Sequence, residues 1–290
     1  MNTSTPVNLP LWLGGPEREA LADGLRHHTP CGDGHMVWHS WGLEDQPTLV
    51  LLHGGSGSWT HWLRNIAPLR RAGWRVLAAD LPGMGDSHLP AGCTDTHDLP
   101  PYLHAGLQQL VPHDDVRVVG FSFGGMTAGL WLREHPQDAR ALVIVGAPGM
   151  GLNAPEMTPL KGWRHQPNEA QRDEAHRHNL RVLMLHDPAS LDDTALALHR
   201  DNVLRDRMQR RRLSRTDILA QALPHLTMPV AGIFGEHDAL YRERLPEVRQ
   251  AFERLLPRFG GWHTVAGSGH WVQYEAHAAF NQALLSMLND

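Results

Sequence analysis

The sequence predicts an α/β fold: a mostly parallel sheet flanked by helices and interrupted by a helical insertion. Three observations carry that prediction. Apolar runs such as "TLVLLH" (48–53) and "ALVIVGAPG" (141–149) are continuous rather than alternating, as strands buried on both faces require. Helical patterns fill the gaps between these runs, which places helices over both faces of a parallel sheet. One run, "RVVGFSFGGM" (117–126), ends in a serine set among Gly120, Gly124 and Gly125, at the turn between a strand and a helix.

The strands follow in order as "HMVWHSWG" (35–42), "TLVLLH" (48–53), "WRVLAADLP" (74–82), "VRVVGFS" (116–122), "ALVIVGAPG" (141–149) and "PVAGIFGEHD" (229–238). Between and after them, "HWLRNIAPLRRAG" (61–73), "GGMTAGLWLREHP" (124–136) and "EAHAAFNQALLSMLN" (275–289) read as helices. The rhythm breaks after Gly149. From about 150 to 225 no apolar β-run occurs, and polar, Arg- and His-rich helical stretches such as "DEAHRHNLRVLMLH" take over. The chain thus divides into a first core part (1–149), an inserted helical lid or surface elaboration (150–225) and a second core part (226–290).

The 290 residues are 41% hydrophobic and 20% charged, enough for a large core. A net charge of −5 argues against nucleic acid or an anionic membrane as partner. The one dense basic run, "RMQRRRLSR" (207–215), reads as a solvated helix face. Cys31 and Cys93 form neither a disulfide framework nor a metal set. The opening "MNTSTPVNLPLWLGG" lacks the basic and apolar regions of a secretion signal, and no run approaches the roughly 18 apolar residues of a membrane span. The expectation is a cytoplasmic protein with reduced thiols. Histidine is frequent at 21 residues, yet no zinc spacing appears, so no metal or cofactor is expected. Oligomeric state is not readable from the sequence; a homodimer is the default among soluble oligomers.

G-x-S-x-G after a strand and before a helix is a nucleophile elbow: the turn is so tight that glycines must flank the exposed Ser122. A serine hydroxyl needs a base, and the base needs an orienting acid, in the chain order Ser, Asp/Glu, His. "GIFGEHDAL" offers Asp238, with Glu236 as competitor in the same loop, and "AGSGHWVQYE" offers His270. A developing oxyanion needs donors. "LLHGGSGSW" supplies the Gly55 N–H, and the residue after the nucleophile supplies the Phe123 N–H. The same glycine-rich stretch lacks the Gly-Lys-Ser/Thr ending of a phosphate-binding loop, which argues against a nucleotide.

"HGGSGS", "DLPGMGDS", "GFSFGG", "GEHD" and "GSGHW" together resemble the α/β-hydrolase fold superfamily from about residue 30 to the end, with the 150–225 insertion where that family carries its helical cap. The ending "GHWVQYEAHAAFNQALLSML" and the stretch "LMLHDPASLDDTALALHRDNV" are similar to the meta-cleavage-product hydrolases, which split carbon–carbon bonds in ring-fission products of aromatic catabolism. That resemblance implies a small-molecule substrate; by size and apolarity Phe121 and Trp271 either line its pocket or serve the core, and Trp59, His61 and Trp62 are weaker candidates. It also puts the family's carboxylate-binding cap arginine at His199, with Arg200 one position on. The chain departs from the family where Phe121 and His61 stand in place of asparagines. The implied function is a serine hydrolase acting on a small ester or on a carbon–carbon bond of a ring-fission ketone. Two other classes stay open: a cofactor-free oxygenase that uses the histidine as base, and a hydrolase-like binding protein without turnover. Dehalogenase and epoxide hydrolase chemistries on this fold use an aspartate nucleophile and are disfavoured by Ser122.

Overall fold

A computed structural model describes residues 4–111, 115–152 and 158–289. Positions 1–3 of the N-terminal stretch and 153–157 of the predicted insertion lie outside the described residues. The strands are β1 (Thr5–Pro6), β2 (Leu25–Cys31), β3 (Gly34–Trp41), β4 (Thr48–Leu52), β5 (Arg75–Asp80), β6 (Val116–Phe121), β7 (Ala141–Val145), β8 (Val230–Gly235) and β9 (Phe259–Val265). The helices are α1 (Gly15–Leu21), α2 (Ile66–Arg71), α3 (Pro100–Leu110), α4 (Phe123–Glu134), α5 (Glu169–Asn179), α6 (Asp193–Leu204), α7 (Ile218–Ala222), α8 (Leu245–Leu255), α9 (Val272–Glu275) and α10 (His277–Asn289).

The strands form one sheet in the order β1-β2-β3-β5-β4-β6-β7-β8-β9. Strands β1, β2 and β3 run antiparallel to their neighbours, and every pairing from β5 to β9 is parallel. All six expected strands are present. Strands β1, β2 and β9 were not expected: β1 is only two residues long, and the other two each have a physical reason. In β2 the inward positions include His27, which is buried through a hydrogen bond from or to Ser40 at 2.7 Å, so the strand looks polar in sequence. Strand β9, at the sheet edge, carries Gly260 and Gly261 and leaves most of its side chains partly or fully exposed.

The two faces of the sheet bury separate apolar clusters, which accounts for the continuous runs. In β4, Val50 and Leu52 pack toward α3, α4 and α8, while Leu49 and Leu51 pack toward α2 and α10. A strand with a period of two that is covered on both sides has no polar face. Strand order reverses at β4, which lies between β5 and β6, and ligand clefts form outside the carboxyl ends of strands at such a point. Leu52 pairs with Gly120, so the loops leaving β4 and β6 open side by side.

The first turn of α4 sits almost on the strands. A Cβ on Gly124 would lie 2.5 Å from the carbonyl oxygens of both Leu52 and His53, and one on Gly120 would lie 2.5 Å from the Gly124 carbonyl oxygen. Glycine is demanded at both positions by backbone proximity. Between β7 and β8 the chain leaves the sheet and forms α5, a π turn over Leu180–Met184, α6 and α7. Among the described residues no helix is long and apolar enough to cross a membrane.

Candidate active site

Ser122 caps α4 with φ +51° and ψ −117°, a left-handed conformation that costs a side chain about 1–3 kcal/mol and is held only where the surroundings dictate it. They do so here: its N–H donates to the Val145 carbonyl at 2.7 Å, and its carbonyl accepts from Gly125 and Met126. The hydroxyl is thereby pushed away from the sheet, toward the His270 ring. Ser122 Oγ lies 2.9 Å from His270 Nε2, and His270 Nδ1 lies 2.9 Å from both carboxylate oxygens of Asp238. A carboxylate only accepts, so Nδ1 carries the proton and Nε2 accepts from the serine hydroxyl. Asp238 is buried and also accepts from the Leu240 N–H at 2.9 Å, which fixes its rotamer. Glu236, the competing acid, faces elsewhere: its carboxylate accepts from Gly267 N–H and is half exposed.

The loop after β4 is aimed by histidines. Leu81 N–H donates to His53 Nε2 at 2.9 Å, so His53 is neutral with its proton on Nδ1, and that proton goes to the Gly54 carbonyl at 2.7 Å. In a trans peptide the next N–H, that of Gly55, points the opposite way. The Cα of Gly55 faces Phe123, with 3.7 Å between the position of an added Cβ and Phe123 Cβ. Phe123 opens α4, so its own N–H has no acceptor within the helix. Gly55, Phe123, Ser122 and His270 line one chamber of about 790 Å³.

The expected substrate contacts divide. Phe121 lines the chamber, its ring 5.0 Å from that of His270. The other four do not line it. Trp271 is completely buried, donates to the His61 carbonyl at 3.2 Å and stacks on Tyr274, because its size and apolarity are used in the core. His61 lies behind the chamber wall, where Nδ1 accepts from Gly54 N–H at 3.3 Å. Burial, followed by the neighbouring His53, His199 and His270, pushes the pKa of His61 well below the usual range. His199 meets the His176 ring edge-on, and burial pushes its pKa down to about 3, so it is neutral and no substitute for an arginine. Arg200 turns to a separate cleft and pairs with Glu169 and Asp173. The weaker candidates Trp59 and Trp62 are core residues.

The chamber's cations come instead from the run read as a solvated helix. Helix α6 stops at Leu204, and residues 205–217 form an irregular, anchored segment. Arg207 donates to the carbonyls of Gly85 and Ser87, and Asp95 accepts from the N–H groups of Arg212 and Leu213. Arg211 and Arg215 both line the chamber, and among the described residues no carboxylate does. Arg211 is paired with Asp206, donates to Ser56 Oγ at 3.0 Å and lies over the Phe123 ring. One sequence cue was available: Met208, which is buried, interrupts the basic run, and a purely solvated face has no use for it.

Two further expectations can be placed. Cys31 and Cys93 are free and buried, and burial pushes both thiols up to about 12. His104, His135 and Asp138 gather their ligand-type atoms within 4.8 Å, a cluster that no sequence spacing announced. Asp138 already accepts from His104, Trp131 and Gln108, and the two imidazoles stack face to face at 3.9 Å, so their in-plane lone pairs do not converge.

Comparison with known proteins agrees with this architecture. The Alpha/beta hydrolase family profile matches residues 49–283, and the chain belongs to that family. It is 28% identical over 275 residues to a 2-hydroxy-6-oxononadienedioate/2-hydroxy-6-oxononatrienedioate hydrolase of Cupriavidus pinatubonensis, covering 84% of this chain and 87% of that protein. A Pseudomonas putida hydrolase of the same description is 26% identical over 287 residues, covering 90% and 91%. Among solved structures, an esterase from Rhodococcus sp. superposes with a TM-score of 0.71 at 20% identity, covering 91% of this chain and 98% of that one. A carboxylesterase from Bacillus subtilis gives 0.70 at 22% identity, covering 94% and 95%. The protein is an α/β-hydrolase-fold enzyme, related to carbon–carbon bond hydrolases along most of its length.

Proposed function

We propose that this enzyme is a serine hydrolase in which Ser122 is the nucleophile, His270 the general base and Asp238 the orienting acid, with the N–H groups of Gly55 and Phe123 as oxyanion donors. One observation carries the reading: His270 is held at 2.9 Å by Ser122 on one ring nitrogen and by Asp238 on the other, at the wall of a chamber of about 790 Å³. His270 Nε2 takes the serine proton as Oγ attacks the carbonyl carbon. The resulting imidazolium is stabilised by the Asp238 carboxylate, and the proton then passes to the leaving group. The two amides are fixed before reaction, one by a helix start and one by His53, so they stabilise the oxyanion without reorganisation.

The substrate proposed is a ring-fission ketone of aromatic catabolism that carries a carboxylate, cleaved at a carbon–carbon bond after the enol has ketonised. The hydrolases matched along most of the chain are named for such dioates. The cationic, carboxylate-free chamber lining suits an acidic substrate. A small ester is the second reading, favoured by the apolar surface of Phe121, Phe123, Leu160 and Leu183 in the same chamber. Segment 150–225 acts as its cap, a reading supported by Leu152, Leu160, Leu183 and Met184, which line the chamber. The enzyme would act on a diffusible small molecule in the cytoplasm, and a homodimer is the assembly to test by native mass spectrometry.

The test compares wild type with Ser122→Ala on a dienol ketone acid and a short p-nitrophenyl ester, with phosphonate labelling of Ser122 alongside. Higher kcat/KM on the dienol supports carbon–carbon cleavage, and ester turnover alone removes it. An unlabelled Ser122 with full activity in the alanine variant would point to the oxygenase-type use of His270. No turnover of either substrate would point to the binding protein.

A further inference from the structure

His270 stands between two cavities. One is the chamber already described. The other, of about 560 Å³, lies on the far side of a strap formed by Leu183 and Met184, two residues that line both cavities, as His270 does. The two cavities differ in chemistry. The chamber combines apolar side chains with Arg211 and Arg215 and no carboxylate, whereas the second carries Arg181, Glu236, His237, Arg242 and Glu243. The first suits the organic body of a substrate, and the second suits water.

The strap is not ordinary helix. Leu180–Met184 form a π turn closed by Leu185 N–H to the Leu180 carbonyl at 2.9 Å, a geometry that is rare and concentrated at functional sites. It is fixed against the loop that carries the base. Trp271 N–H donates to the Met184 carbonyl at 2.8 Å. Glu275 receives His186 N–H and Asp187 N–H on one carboxylate oxygen and Gly269 N–H on the other. A Cβ on Gly269 would lie 2.7 Å from the His186 nitrogen, so the loop and the strap touch backbone to backbone. The second cavity therefore keeps a constant position relative to His270.

We propose that this second, polar cavity delivers the hydrolytic water to His270 during the second half of turnover. The proposal rests on Ser122 forming an acyl-enzyme. While the acyl group fills the chamber, a water approaching from the strap side gives its proton to His270 Nε2 and bonds through oxygen to the acyl carbon. The bond from that carbon to Ser122 Oγ then breaks, His270 returns the proton to Oγ, and the carboxylic acid leaves.

The experiment fills the cavity from two separate lining positions with Val182→Trp and, separately, Glu243→Trp. Formation and decay of acylated Ser122 from a p-nitrophenyl ester are followed by rapid quench and mass spectrometry. Acylation within about twofold of wild type, with decay slowed by about tenfold or more in either folded variant, is the expected result. Decay at the wild-type rate in both, or equal slowing of both steps, overturns the port while leaving Ser122 as nucleophile. Absence of any acyl or phosphonyl adduct on Ser122 would overturn the nucleophile reading and the port with it.

Discussion

Asp206 holds the Arg211 guanidinium at two points, with Nη1 to Oδ1 at 3.0 Å and Nη2 to Oδ2 at 2.8 Å, and the same carboxylate accepts from the Ser56 hydroxyl at 2.5 Å. The segment after α6 is thus tied to the loop that bears Gly55. Ser56 itself sits at φ +51°, so part of this bonding holds a strained residue in place. Asp206→Ala leaves a poorly solvated guanidinium without its partner, and each charge-assisted hydrogen bond lost costs roughly 1.5–3 kcal/mol. The double variant Asp206→Leu/Arg211→Met is expected to be more stable than Asp206→Ala alone. Urea denaturation of the three proteins decides it; a double variant less stable than the single one would contradict the argument.

Arg211, one of the chamber's two arginines, should act on acidic substrates only. Arg211→Gln is expected to lower kcat/KM for a dienol carboxylate by roughly 10–100-fold, about 1.4–2.8 kcal/mol, and to leave a neutral p-nitrophenyl ester within a few-fold of wild type. Equal losses on both substrates would mean that Arg211 serves only to hold the Ser56 loop.

Ser122→Ala should lower kcat by roughly 10⁴–10⁶-fold, and Asp238→Asn by about 10⁴-fold, since each removes one member of a unit. Glu236→Gln should stay close to wild type, because its carboxylate binds Gly267 N–H rather than His270. A larger loss for Glu236→Gln than for Asp238→Asn would reverse the assignment of the acid.

His61 supports the loop of the proposed oxyanion donor Gly55 through one acceptor atom, so chemistry rather than volume should matter there. His61→Asn retains a side-chain acceptor for Gly54 N–H, and His61→Leu leaves that buried donor unmatched at a cost of about 1–3 kcal/mol. The expected order of kcat is wild type, then Asn, then Leu. Leu matching Asn would remove the hydrogen bond from the account.

Acid should destabilise the fold through the buried neutral histidines. His199 has a folded pKa near 3 against an ordinary value of 6.5, so between those limits the unfolded chain binds more protons. Stability contributed by keeping His199 neutral is present above 6.5 and is lost progressively as pH falls toward 3. His53 and His61 are shifted in the same direction. Melting temperatures of His199→Phe should fall less steeply than wild type from pH 6.5 to 4; identical slopes would contradict this.

Much of this was legible along the chain. The six central strands, the elbow at Ser122 and the Asp238 and His270 loops are encoded by short-range facts: unbroken apolar runs, glycines where backbones touch, and turn residues after strands. What failed had a common cause. Strand β2 was missed because a buried histidine there is satisfied by Ser40 on the next strand, a partner 13 residues away. For Trp271 the sequence left pocket wall and core both open, and with His61 it packs behind the chamber wall, a choice made by partners more than 200 residues apart.

The sequence by itself determined the six central strands, the hydrolase-like motifs and the tight turn that presents Ser122, because those depend on residues within a few positions of one another. Only the tertiary structure decided which cations reach the chamber. Arg200 lies in the last turns of α6 and Arg211 in the irregular segment just after it, and local pattern does not separate the two. Arg200 finds Glu169 and Asp173 on α5, whereas Arg211 finds Asp206 and Ser56 at the chamber that Ser122 lines. A long charged side chain goes where its partners are, and those partners are fixed by how distant segments pack.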